Sequence, residues 1–135
     1  MPAMQTAGAK WAPHLLSLLR FVAGLLFLEH GLQKLVGFPP MAGGHGPALF
    51  TLFWFAGVIE LVGGALVLLG LFTQPAAFIM SGEMAFAYFM IHAQHGPFPA
   101  LNGGDAAILF CFVFLYLAAA GPGPWSLDRA WGTAA

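Results

Sequence analysis

Four nearly uninterrupted apolar runs govern what this chain folds into: His14 to Val36, Ala48 to Phe72, Pro75 to His92, and Asp105 to Ala120. A helix needs roughly 20 apolar residues to cross about 30 Å of hydrocarbon. Lipid admits only helices or closed barrels, because every backbone polar group must be satisfied within the protein, and these runs lack the alternation of a barrel strand. The expectation is an all-α integral membrane protein, an antiparallel four-helix bundle over residues 14–121. Residues 1–13 would form a cytoplasmic or interfacial arm, and residues 122–135 an interfacial tail anchored by Trp125 and Trp131. The third and fourth runs are short and fit spans with little tilt. Composition agrees, since 60% hydrophobic and 7% charged residues fall far outside the range of a water-soluble domain.

The balance of charge narrows the partners. A formal net charge of −1 gives no electrostatic basis for nucleic acid. The lipid bilayer is the partner the sequence requires. Cys111 is the single cysteine, which excludes an internal disulfide or a CxxC redox pair and suits a small core or lipid-facing position. The opening MPAMQTAGAK lacks the charge, apolar run and cleavage site of a signal peptide, so the first run reads as a permanent span. Lys10 and Arg20 at one end of that run, with Arg129 after the fourth, outnumber Lys34 at the other end. The positive-inside rule then places both termini in the cytoplasm.

Helix breaks follow from the backbone. Gly37 and the Pro39–Pro40 pair stop the first helix, and a short turn around GLFTQP makes the second and third antiparallel. On the second helix Gly57, Glu60 and Gly64 share one face, so a carboxyl is framed by glycines that admit a neighbouring helix. That face is expected to point inward. Asp105 stands where it can cap the fourth helix.

Ionisable residues within membrane segments are costly, so they mark sites or buried pairs. At 1.5 Å per residue, Arg20 falls about 9 Å and Glu29 about 22 Å into the first span, with Glu60 and Glu83 near 12 Å in theirs. An inner layer of Arg20, Glu60 and Glu83 is therefore expected. It reads either as an interhelical clamp or as a proton-carrying carboxyl beside a guanidinium; Arg20 reaching the headgroups is the alternative. An outer layer gathers Glu29, His30, Gln33, Lys34, His92 and Asp105, beneath His45, His95 and Asn102 in the loops. Buried charge or proton roles are assigned to Arg20, Glu29, Glu60 and Glu83, and ligand contacts to His30, Lys34, His92, Asn102 and Asp105.

Three chemistries fit such groups to different degrees. His92 and His95 form an i,i+3 pair, but no HExxH or repeated ExxH pattern accompanies them, and no metal ligand is assigned. A bis-histidine haem would need His30 and His92 at matched depth. A quinone or phenol needs an apolar slot with hydrogen-bonding groups near the membrane surface, and Phe86, Tyr88, Phe89 and Phe98 beside His92 suit that better.

The stretches RFVAGLLFLEHGLQKLVG, GVIELVGGALVLLGLFT, GEMAFAYFMIHAQHGPFPALNGGD and GPGPWSLD, in this order, resemble the successive signatures of the DoxX family of small four-helix bacterial membrane proteins. The resemblance covers about residues 16–128 and carries Arg20, Gly24, His30, Gly31, Lys34, Glu60, Gly63, Gly64, His92, Asn102, Gly103, Gly104 and Asp128 onto the family pattern. Asp105 stands where the family commonly has glutamate, and Glu29 matches no family position. The resemblance implies a bacterial inner-membrane setting and an oxidoreductase context, as in subunits of thiosulfate:quinone oxidoreductases and proteins linked to quinone, catechol or thiol stress.

Residues and resemblance together lead to a quinone-associated oxidoreductase subunit that takes a quinone or small phenolic between helices. Two further readings stay open. One is a non-catalytic subunit docking a soluble or membrane redox partner, and the other is a proton-coupled carrier of small aromatics, which with four helices would need a homo-oligomer.

Overall fold

The computed structural model describes residues 2–133, with side chains from residue 8 onward. Among these residues it is entirely helical. The long helix α1 runs from Pro2 to Leu35, α2 from Leu52 to Leu69, and α3 from Thr73 to Ala87. A π turn, Tyr88–His92, and a 3-10 turn, Ala93–His95, prolong α3. The short α4, Pro99–Asn102, precedes α5, Asp105–Ala120, and α6, Leu127–Ala130, closes the chain.

Each of the four expected runs is thus helical over most of its length. Gly8–Leu35, Leu52–Leu69 and Thr73–His95 are long and apolar enough to cross a membrane, with mean hydropathies of 1.6, 2.2 and 1.3. Asp105–Ala120 is shorter, at 16 residues. The first thirteen residues, expected as an arm, continue α1 without a break from Pro2, and Pro13 lies inside that helix.

Glycine sets the spacing of α1 and α2. A Cβ on Gly24 would lie 2.5 Å from the Leu68 nitrogen, and one on Gly64 would lie 2.5 Å from the Leu28 nitrogen. At Gly31 it would fall on the Leu61 backbone. Small residues let helix backbones approach this closely where lipid supplies no hydrophobic drive between helices. Gly57 faces Lys34 and Leu35, so the inward face predicted for Gly57, Glu60 and Gly64 is the one that meets α1. Gly63 turns the other way, against Met80 of α3. Phe27 of α1 packs edge-on against Phe114 of α5 at 4.6 Å between ring centres, joining the α1–α2 pair to the α3–α5 pair through a core with Met80, Val67 and Leu117.

These contacts fix which residues share a depth. Gly31 opposite Leu61, Gly63 opposite Met80, and Phe27 opposite Phe114 form a consistent ladder. Arg20, Gly70 and Pro122 lie together at one end of the bundle. Glu60 and Glu83 share a level near residue 32 of α1, about 18 Å from the Arg20 level.

Candidate functional site

At the Arg20 end the guanidinium is 2% exposed and is surrounded by carbonyl oxygens. Its Nε donates to Pro122 O at 2.8 Å, Nη1 donates to Val67 O at 2.7 Å and Leu68 O at 2.6 Å, and Nη2 donates to Trp125 O. The expected pairing of Arg20 with Glu60 and Glu83 is therefore not formed, nor does Arg20 extend to the headgroups. The depth estimate set Arg20 within the span, whereas its contacts with Gly70 and Pro122 put it at the end of the bundle, well away from the level of Glu60 and Glu83.

The C-terminal segment is bound at this end, not merely laid along an interface. Asp128, 6% exposed, accepts the N–H groups of Phe72 at 2.9 Å and Thr73 at 3.0 Å. These are the free donors at the start of α3, and a carboxylate there also meets the positive end of the helix dipole. Phe72 has φ 48, a strained left-handed value for a phenylalanine, and Asp128 holds that turn in place. Burial alone would raise the Asp128 carboxyl, but the N–H groups of Thr73 and Phe72 and the Thr133 hydroxyl outweigh it and hold the group below the usual carboxylate range. Ser17 Oγ accepts the Trp125 N–H at 3.1 Å, closing the segment onto α1.

Near the other end, Lys34 and Glu60 form the one ion pair among the described residues. Lys34 Nζ lies 2.5 Å from Oε1 and 2.6 Å from Oε2, with the glutamate side chain 4% and the lysine side chain 20% exposed. Gly57 makes room for the lysine stem to pass toward Glu60. Glu83, from α3, lies within reach of both charges, and neither of its buried oxygens finds a hydrogen-bond partner. The polar cluster inside the bundle is Lys34, Glu60 and Glu83.

Lys34 also lines a cleft of about 240 Å³ with Met41, His45, Gly46, Pro47 and Phe53. The loop after α1 forms its far wall, and Gly46 is pressed so close to the Lys34 carbonyl that a Cβ there would lie 2.5 Å from its oxygen. A second hollow of about 240 Å³, between α2 and α3, is lined only by apolar side chains and Gly63.

The remaining assigned residues do not converge on this cleft. His92 pairs with the Asn102 carbonyl at 3.2 Å, while Asn102 donates to Gly96 O at 2.9 Å and accepts from the Gly104 N–H at 2.8 Å through Oδ1. That group tightens the NGGD turn before α5. Asp105 is exposed in the first turn of α5, and Gly104, not Asp105, occupies the cap position. His30 is exposed on α1, its Nδ1–H donating to Leu26 O at 2.8 Å. His30 and His92 are separated by more than about 10 Å along the bundle axis, so the matched depth considered for a haem is absent. Glu29 is exposed too, contrary to its expected burial. Among the described residues no three His, Cys, Asp or Glu side chains come together as a metal site would need.

Sequence reading missed the partnership of Lys34 with Glu60 and the binding of the tail by Arg20 and Asp128. The Asp128 signal was visible as an acidic residue in a short, turn-rich WSLD segment. Lys34 was legible only as a cation in an apolar helix, with nothing in its own segment to name Glu60.

An all-helical chain with apolar spans, glycine-mediated helix contacts and buried ionisable groups is a polytopic helical membrane protein. Residues 15–93 match the DoxX family, and the chain belongs to that family. It is 46% identical over 124 residues to an uncharacterized protein of Haemophilus influenzae, covering 89% of this chain and 92% of that one. An uncharacterized membrane protein of Mycobacterium tuberculosis is 34% identical over 129 residues, covering 82% and 77%. No solved structure matches the chain.

Proposed function

We propose that this protein is a subunit of a quinone-linked oxidoreductase in a bacterial inner membrane, and that it receives the ring of a quinone or small phenol in the cleft beside Lys34. The observation that carries this reading is the unused donor of the lysine. An ammonium has three N–H donors and no acceptor; two of them serve Glu60, and the third is free for an oxygen lodged in the cleft. The space is adequate, because a cavity of about 150 Å³ already takes a benzene. Phe53 and Met41 supply apolar walls, and His45 stands at the rim. The hollow between α2 and α3 lacks any such polar group, and so would take an acyl chain but would not orient an oxygenated ring.

Glu83 gives the site its second capability. A quinone reduced by electrons from a partner redox subunit takes up protons, and Glu83, in the polar cluster behind Lys34 with no hydrogen-bond partner for its oxygens, is a carboxyl able to carry one. Glu60 and Lys34 each act on Glu83 through their charges. Both termini lie in the cytoplasm in this arrangement, which puts the cleft toward the outer leaflet.

Binding of a short-chain benzoquinone to protein in nanodiscs tests the reading. Wild type should bind saturably. Met41→Trp, which fills the cleft without touching the ion pair, should weaken binding at least tenfold while the helical content stays unchanged. Equal binding by wild type and Met41→Trp would show that the ring goes elsewhere.

A further inference from the structure

Glu29 occupies a position that a lone chain in lipid does not explain. It lies on the same level as Gly63 and near Met80, close to halfway between the Arg20 end and the start of α2 at Leu52. It is also exposed, and among the described residues it meets no hydrogen-bond partner. Successive helical residues are turned by about 100°. On that wheel Glu29 sits opposite the buried line of Arg20, Phe27 and Gly31, in the middle of the outward face with Leu18, Val22 and Leu25. A carboxyl aimed into lipid at mid-bilayer is disfavoured in either protonation state unless another polar group meets it.

We infer that a second copy of this chain covers the face, with α1 packed against α1 about a two-fold axis along the membrane normal, and Glu29 bonded to His30 of the partner subunit. The patch is complementary to itself. His30 Nδ1–H is committed to the Leu26 carbonyl, which leaves Nε2 as an acceptor pointing away from its own helix. The carboxyl of Glu29 is the matching partner for that ring. Glu29 and His30 lie about 50° to either side of a midline through Leu26 and Gln33. In a parallel pair related by a two-fold, one flank of each helix meets the opposite flank of the other, at nearly equal height. Glu29 then meets His30 of the partner subunit, and the same contact forms a second time, so both Glu29 carboxyls and both His30 rings are paired, and the two Gln33 amides face each other across the midline. Leu19 and Leu26 lie on the midline between the two contacts, 39% exposed each.

A foreign membrane protein would need to bring its own acceptor to Glu29 and its own donor to His30. The chain already carries both.

Two measurements in liposomes test the interface. In a Cys111→Ser background, Leu26→Cys should form an oxidative cross-link between copies, whereas Phe78→Cys, more exposed on α3 but away from the face, should not. Dimerisation measured by energy transfer at high lipid dilution should weaken roughly tenfold in Glu29→Leu and in His30→Leu, since each change removes both symmetric contacts. The exchanged variant Glu29→His with His30→Glu should restore it, because a two-fold preserves the pairing when both residues trade places. Equal cross-linking at residues 26 and 78, or dimerisation indifferent to both single variants, would overturn the proposal. So would single-variant losses that the exchange does not restore.

Discussion

Lys34 Nζ sits between the two carboxylate oxygens of Glu60, at 2.5 and 2.6 Å, across 26 residues of sequence. The pair ties the end of α1 to the middle of α2, with the carboxylate buried and the lysine side chain one-fifth exposed at the cleft. Its members cannot be treated as separate. A buried pair contributes little net stability against an apolar replacement, but removal of one partner strands the other. Lys34→Met and Glu60→Leu should each cost about 3–5 kcal/mol. The double variant should cost clearly less than the sum. Thermal unfolding in a single detergent, arranged as a double-mutant cycle, measures the difference.

Arg20 makes a prediction of a different kind, because its partners are backbone carbonyls on two separate segments. Lysine keeps the charge but presents its donors from a single point, and it cannot span Pro122, Trp125 and the end of α2 at once. Arg20→Lys should free the C-terminal segment. Limited proteolysis should then cleave within residues 122–133 much faster than in wild type, with the α1–α5 core left intact.

Asp128 should make the attachment of that segment sensitive to acid. Its folded carboxyl lies below the ordinary value of about 3.9, so folding binds fewer protons there. The stabilisation is fully present above the unfolded value and is lost as pH falls through the depressed folded value. Protection of the tail from an acid-active protease should fall below about pH 4 in wild type. In Asp128→Asn, protection should already be reduced at pH 7 and should change little with acid.

The close approach of α1 and α2 predicts a contrast among glycines. Gly64→Ala places a Cβ against the Leu28 nitrogen, with backbone on both sides and no flexible side chain to move. A loss of about 1–3 kcal/mol is expected, the usual cost of overpacking. Gly82→Ala on α3 meets nothing within 4 Å. It should be neutral or up to about 1 kcal/mol stabilising, from helix propensity alone. Equilibrium unfolding of the two variants side by side checks both signs.

The spans were legible in the sequence because lipid imposes a length and a composition that can be read without knowing any contact. The inward face of α2 was legible for a similar reason, since Gly57, Glu60 and Gly64 are local to one helix. Partners were not. Arg20 is satisfied by carbonyl oxygens, which every residue possesses, so no residue type signals its destination. Lys34 lies about two levels from Glu60 and reaches it through its long stem, a contact that depends on the register of α1 against α2. That register is set by Gly24, Gly31 and Gly64 acting together across two helices. Glu29 was placed inside because a carboxyl in a span usually points inward; the periodicity of the buried residues on α1 alone would have put it outside.

Occupancy of the cleft beside Lys34 by an oxygenated ring is directly measurable. Its most direct test is solvent extraction of protein purified in a mild detergent from native membranes, with quinone quantified per chain. Wild type should carry near-stoichiometric quinone, and Met41→Trp should lose it at equal yield and helical content. Wild type that carries no quinone, or Met41→Trp that carries as much as wild type, would contradict it.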